Sequence, residues 1–115
     1  MTSARLQTRL WLWQRISAMV LALALLVHLA IIVVAVRGGL SAAEILARTH
    51  GSWAFGGFYA VFVVACAVHA PIGLANVLQE TPGWRGARVG WLAGAFALLL
   101  LAAGLRAVWA VVGVA

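Results

Sequence analysis

Charged side chains are scarce in this sequence of 115 residues, of which only 9% are charged and 66% are hydrophobic. Lysine and aspartate are absent, and the acidic residues are Glu44 and Glu80 alone. A water-soluble domain needs far more polar surface than these residues supply. The composition therefore excludes a soluble enzyme or binding domain and predicts an integral membrane protein. Any water-soluble chemistry that it serves must come from partner proteins.

Cysteine is nearly absent, and the basic residues are not clustered. Cys66 is the single cysteine, so no disulfide framework can form. The formal net charge of +6 comes from eight arginines scattered at the ends of apolar runs. Arginines placed in this way orient membrane helices, whereas a nucleic-acid surface requires a clustered basic patch. We expect membrane lipid around the chain and no nucleic-acid partner.

Three long runs without charge make up most of the sequence. They predict membrane-spanning helices at about residues 14–36, 53–78 and 89–112, because about 20 apolar residues cross a bilayer core of about 30 Å. The first run is too long for the apolar part of a cleaved signal peptide. The predicted fold is an all-α membrane protein, a bundle of three transmembrane helices forming one domain over residues 1–115.

A short helix is predicted between the first and second spans. Ser41 and Glu44 have the spacing of a capping box, in which the serine accepts from the Glu44 backbone while the glutamate reaches back. The apolar pair Ile45 and Leu46, with Arg48 on the other side, indicates that this helix lies at the membrane interface. Glu44 is accordingly interpreted as a structural cap.

Proline and glycine mark two further features of the predicted bundle. Pro71 lies inside the second span, where it removes a backbone hydrogen bond and favours a kink that could open space for a ligand. Gly86, Gly90 and Gly94 recur every four residues in and before the third span. This spacing predicts a groove in which another transmembrane backbone approaches closely.

The arginines also predict orientation, because cytoplasmic ends of membrane helices carry an excess of positive charge. Arginines at five positions fall on one side of the predicted bundle, and arginines at three positions fall on the other. The first group is Arg5, Arg9, Arg15, Arg85 and Arg88, and the second is Arg37, Arg48 and Arg106. We therefore expect a multi-pass protein of the bacterial inner membrane with a cytoplasmic N terminus.

Two histidines, His28 and His69, lie inside apolar spans. A neutral imidazole is costly in lipid unless it finds a partner, which could be haem iron, a neighbouring helix or a proton pathway. His69, Gly73, Asn76 and Glu80 follow one another along a single helix stripe. Imidazole coordinates haem iron axially, and arginines at the membrane edge can pair with haem propionates.

The stretch 69–80 resembles the second-helix motif of the membrane-anchor subunits of succinate dehydrogenase and fumarate reductase. In that family a histidine, followed by glycine four residues later and an acidic residue eleven later, supplies one axial ligand to haem b. The stretch 14–18 is similar to the family's arginine-x-serine motif near the quinone pocket. The three-span plan also matches, so the resemblance covers about the whole chain.

The resemblance implies a role for each matching residue. His69 is expected to bind the haem iron, Arg15 to pair with a haem propionate or the quinone headgroup, and Ser17 to donate a hydrogen bond to quinone. Glu80 is expected at the edge of the quinone site. Where this chain has Glu80 and Thr81, the small anchor subunits often carry Asp-Tyr, and where it has Ala75 and Asn76, the large ones usually carry Arg-His. Because it lacks the Arg-His pair of the large subunits, the chain resembles the small type more closely.

Helix geometry adds His28 to the candidate cofactor ligands. It lies eleven residues after Ser17, which on a helix returns to nearly the same face. His28 could bind haem iron or make an interhelical hydrogen bond.

The expected function is that of a haem b- and quinone-binding anchor in an electron-transport complex of the tricarboxylic acid cycle. It would be inactive alone and would act with a second anchor subunit or a second copy, an iron–sulfur subunit and a flavoprotein subunit. Two other interpretations stay open. One is a small proton or solute transporter that uses His28 and His69, and the other is a structural anchor without a cofactor.

Overall fold

The computed structural model describes residues 3–113, which form four α-helices and contain no β-strand. Three of these helices are long and apolar enough to cross a membrane, and the short one lies between the first and second of them. This confirms the predicted fold class. The helices are α1 (Ala4–Gly38), α2 (Ala42–Thr49), α3 (Trp53–Glu80) and α4 (Ala87–Val112).

Helix α1 is considerably longer than the predicted span 14–36 that it contains. It begins because Ser3, its N-cap, accepts a hydrogen bond from the backbone amide of Leu6, which satisfies one of the free donors at a helix start. Its 35 residues extend about 52 Å at 1.5 Å per residue, well beyond a bilayer core of about 30 Å. The first turns of α1 therefore extend beyond the apolar core of the bilayer.

Helix α3 is the central element, because it packs against both α1 and α4 while those two helices contact each other little. The contacts of its two ends show that α1 and α3 are antiparallel. His69, in the second half of α3, lies beside Ser17 in the first half of α1. Tyr59, near the start of α3, lies beside His28 further along α1. We call the end of the bundle formed by residues 4–15 and 79–90 the N-terminal edge.

The predicted capping box at the start of α2 is confirmed. The Glu44 backbone amide donates to Ser41 Oγ at 3.2 Å, and the Ser41 amide donates to Glu44 Oε2 at 3.0 Å. The Ser41 hydroxyl also donates to the same oxygen at 2.8 Å. These donors, the hydroxyl first, hold the pKa of Glu44 below its usual value. Glu44 is thus a helix cap outside the membrane spans.

The C-terminal end of α4 is capped by hydrogen bonds from the segment that joins α2 to α3. The last carbonyls of a helix have no partner inside that helix. Thr49 is buried and donates its hydroxyl to the Val111 carbonyl at 2.7 Å, while the Gly51 amide donates to the Val112 carbonyl at 2.9 Å. Gly51 has φ of +73°, a conformation that glycine adopts without strain. Helix α2 therefore fixes α4 against the start of α3.

Among the glycines of α4, Gly104 packs tightly against α3, whereas the predicted glycine repeat does not. A Cβ built on Gly104 would lie 2.5 Å from a methyl carbon of Val63, whereas one built on Gly86, Gly90 or Gly94 meets no atom of the described chain within 4 Å. The repeat thus faces open space within this chain. Gly90 and Gly94 line a large cavity between α1, α3 and α4.

Pro71 lies inside α3, and the helix continues unbroken on both sides of it. The residue is buried, and it lines the same large cavity between α1, α3 and α4. A proline cannot donate to the carbonyl four residues earlier, here that of Ala67. The proline therefore leaves a weakened point in the helix next to that cavity.

We expect Gly104→Ala to destabilise the bundle. The added methyl group would overlap Val63, and overpacking of this kind costs about 1–3 kcal/mol. The midpoint of thermal unfolding in detergent should fall. Gly94→Ala is the matched control, since it adds the same methyl group to α4 in open space and should leave the midpoint unchanged or higher. Equal midpoints for the two variants would contradict the packing described here.

Candidate functional site

The structure brings two of the predicted site residues together. Ser17 Oγ, on α1, lies 3.3 Å from Nδ1 of His69, on α3. Ser17 is only 4% exposed, and its hydroxyl also donates to the backbone carbonyl of Gln14 at 3.1 Å. A hydroxyl, an imidazole and a carbonyl thus form one short polar chain across the contact between α1 and α3.

The other ring nitrogen of His69 is differently placed. Nε2 has no hydrogen-bond partner within residues 3–113, and it is not among the fully buried polar atoms left without one. It therefore reaches the surface of the chain. A neutral imidazole has one N–H group and one lone pair, so His69 can hold Ser17 with one nitrogen and offer the other to a ligand from outside.

Gln14 is a site residue that the sequence reasoning did not assign. Its Oε1 atom is buried and has no partner in the described chain. Its Nε2 lies 3.4 Å from where a Cβ on Gly73 would be, which is an ordinary van der Waals distance. The available signal was its position three residues before Ser17, because residues at that spacing share a helix face.

A large cavity of about 1090 Å³ opens between α1, α3 and α4 at the N-terminal edge. Its floor is apolar and includes Val68, Ile72 and Val89, whereas its polar lining consists of amides and one arginine. The polar residues are Gln7, Gln14, Arg15, Asn76 and Gln79. An apolar floor with a few polar groups suits an amphiphilic small molecule.

The three residues predicted to bind quinone have different surroundings. Arg15 lines the large cavity, and its guanidinium lies 5.1 Å from the centre of the Trp11 ring, a cation–π contact that holds the charge at the cavity rim. Ser17 lines a separate cavity of about 350 Å³ on the same face of α3. Glu80 is exposed at the end of α3. Only Arg15 of the three thus faces the large cavity directly.

His28 lies at a different level of the bundle from His69. Its ring packs edge-on against Tyr59 and Phe62, with ring centres 5.8 and 5.5 Å apart, and its buried Nδ1 has no partner in the described chain. It follows Ser17 by eleven residues, about 16 Å along the helix axis. The structure therefore does not bring the two membrane histidines together.

Within residues 3–113, no group of three or more histidine, cysteine, aspartate or glutamate side chains could hold a metal ion. A site made only of protein ligands is therefore not formed by the described residues. Haem differs in this respect, since the macrocycle supplies the equatorial ligands and the protein needs to supply only axial ones. A single histidine such as His69 is suited to that requirement.

Comparison with known proteins adds a family match. The sequence model of a family described as succinate dehydrogenase/fumarate reductase transmembrane subunit matches residues 1–110. No significant similarity to a curated protein or to a solved structure is found. The matched range contains all of α1, α2 and α3 and most of α4, and it includes Ser17 and His69.

Proposed function

Because the chain belongs to the family of succinate dehydrogenase/fumarate reductase transmembrane subunits, we propose that it binds haem b and a membrane quinone. In this proposal it helps electrons pass between an iron–sulfur subunit and the quinone. Membership of the family makes it a multi-pass membrane subunit of a complex whose catalytic partners are soluble. The observation that carries the finer proposal is His69, held by Ser17 on one ring nitrogen and open on the other.

Haem b is proposed to bind at His69. The donor set fits, because a metal-binding histidine commonly makes a hydrogen bond through its other ring nitrogen, and Ser17 Oγ stands beside Nδ1. His69 Nε2 would bind the iron, and Arg15 is available at the N-terminal edge for a propionate. When bound, haem supplies one-electron redox chemistry that no side chain here offers. The role of the protein is to hold and orient the haem.

A second residue that holds the same haem would come from another chain. His28 is about 16 Å away from the level of His69 along α1 and is enclosed by aromatic rings. The proposed partner is a second anchor subunit or a second copy of this chain. His28 stays a candidate for binding a separate group or for a hydrogen bond to that partner, since its Nδ1 lacks a partner in the described chain.

The quinone headgroup is proposed to lie in the large cavity, near Arg15 and Gln14. Gln14 lines the cavity, and its orphaned Oε1 is a hydrogen-bond acceptor. When the amide turns towards the cavity, this oxygen would suit a hydroxyl of the reduced quinone, whereas the arginine would suit the oxygen of the oxidised form. Glu80 directly follows Gln79, which lines the cavity, and is proposed as a polar group at its mouth. The apolar floor would take the first part of the quinone tail.

The N-terminal edge is proposed as the cytoplasmic face on which the iron–sulfur subunit docks, with the flavoprotein subunit beyond it, in a bacterial inner membrane. Its arginines are exposed on the chain surface, and the cavity opens beside them. A docked redox subunit would then be close to both proposed cofactor positions. The proposed docking residues are Arg9, Arg15, Trp84 and Arg85.

We expect His69→Ala to abolish the haem b spectrum of the purified complex. Loss of the imidazole removes the proposed axial ligand, so the reducible Soret and alpha bands should disappear in an absorption spectrum. His50→Ala is the control, because His50 is exposed and precedes α3, and it should retain the bands. A wild-type complex that is colourless and still reduces quinone at full rate would refute the haem proposal.

We expect Gly73→Ala to lower haem binding without unfolding the chain. The new methyl group would make only ordinary contact with Gln14 inside the chain, and alanine favours a helix over glycine by about 1 kcal/mol. Any loss of haem would therefore arise because the methyl group takes up space that the haem needs beside α3. Gly57→Ala, in open space on the same helix, should keep normal haem content. Equal haem content in both variants would rule out a clearance role for Gly73.

We expect Gln14→Leu to stabilise the chain without quinone and to weaken quinone binding. Removing a buried unpaired polar atom relieves a desolvation penalty of about 1–3 kcal/mol, so the thermal midpoint should rise. Loss of one hydrogen bond to the quinol should raise its KM by about two- to tenfold. The measurement is a quinone titration of the complex together with thermal unfolding. A lower midpoint with an unchanged KM would contradict this role for Gln14.

A further inference from the structure

The hydroxyl of Ser17 has one proton and two neighbours. Its Oγ lies 3.1 Å from the Gln14 carbonyl oxygen and 3.3 Å from His69 Nδ1. The carbonyl can only accept, so the bond to Gln14 uses the serine proton. The oxygen that remains beside His69 then acts as an acceptor. For a hydrogen bond to form there, Nδ1 must carry the imidazole proton.

We propose that Ser17 is a positioning residue, which fixes His69 in the Nδ1–H tautomer and so directs the Nε2 lone pair out of the chain. Which nitrogen of a histidine is protonated depends on the hydrogen bond that the other nitrogen makes. Ser17 is 4% exposed, so water does not compete for Nδ1 at this contact. Nε2 lacks a partner in the described chain and is open at its surface.

This assignment gives Ser17 a role other than the quinone contact that the family resemblance implies. Its proton is used by the Gln14 carbonyl, and its free lone pairs are directed at His69. It therefore has no proton left to donate to a quinone. Ser17 also lines a different cavity from Arg15 and Gln14. Its only side-chain partner in the described chain is the histidine.

The tautomer is a property of this chain, whereas its consequence for iron rests on the haem proposal above. A histidine that carries its proton on Nε2 has no lone pair there and cannot bind a metal through that atom. Without the Ser17 acceptor, the proton is free to occupy either nitrogen. A hydrogen bond from Nδ1–H also makes the imidazole a stronger electron donor, which favours the ferric state of a bound haem.

The first test measures the tautomer directly in the full-length chain, without haem, in lipid nanodiscs. Nitrogen chemical shifts of ¹⁵N-labelled histidine distinguish a protonated ring nitrogen from an unprotonated one. We expect His69 to be protonated at Nδ1 in the wild type, to shift towards Nε2 protonation in Ser17→Ala, and to return to Nδ1 in Ser17→Thr. Ser52→Ala removes a hydroxyl that caps α3 and should change nothing. An unchanged tautomer in Ser17→Ala would overturn the inference.

The second test uses the assembled complex and separates this inference from the haem proposal. Ser17→Ala should weaken haem affinity by about 10- to 100-fold, shift the haem midpoint potential upwards and preserve the b-type bands when haem is in excess. If His69→Ala also keeps these bands, the haem proposal is wrong and the nitrogen shifts alone decide the tautomer. If His69 is required but Ser17→Ala leaves both affinity and potential unchanged, the positioning role is wrong.

Discussion

A polar group inside a lipid bilayer must find its partner within protein, because the hydrocarbon offers none. In this chain that constraint governs where α1 meets α3. Ser17 and His69 lie within the apolar spans and satisfy each other, and the serine is further satisfied by the Gln14 carbonyl. The Ser17–His69 contact fixes the position of α1 along the axis of α3. The locations of His28, Gln14 and the cavity follow from that position, since all of them lie on α1 or against it.

The same constraint explains why α2 is more than a connection between two spans. The last carbonyls of α4 would be unsatisfied, and the turn after α2 provides a threonine hydroxyl and a glycine amide for them. This arrangement holds α4 against α3 at one end of the bundle. At the other end α1 and α4 have little contact, so space remains between them. The large cavity lies in this space, with α3 between the two helices.

The sequence was sufficient for features that depend on local pattern and insufficient for those that depend on helix register. Hydropathy predicted the three spans, and the Ser41 and Glu44 spacing predicted the capping box. The close contact at Gly104 was missed, because which glycine meets a neighbour depends on helix rotation. In the regular repeat, Gly90 and Gly94 line the large cavity and contact no neighbouring helix. The early start of α1 was missed because a span prediction follows apolar residues and not helix ends.

The candidate site was predictable to a similar extent. Ser17 and His69 could each be chosen from residue type and resemblance, but their contact could not, since it needs α1 and α3 in one particular register. Gln14 escaped notice because nothing in its type distinguishes a buried orphan acceptor from an interfacial glutamine. The structure leaves polar atoms of Gln14 and His28 unpaired within the described residues, and His69 Nε2 open at the surface. A buried polar atom without a partner is costly in a membrane protein. Gln14 and His28 lie at two levels of α1, and these are the positions at which the proposed quinone and partner subunit would make their contacts.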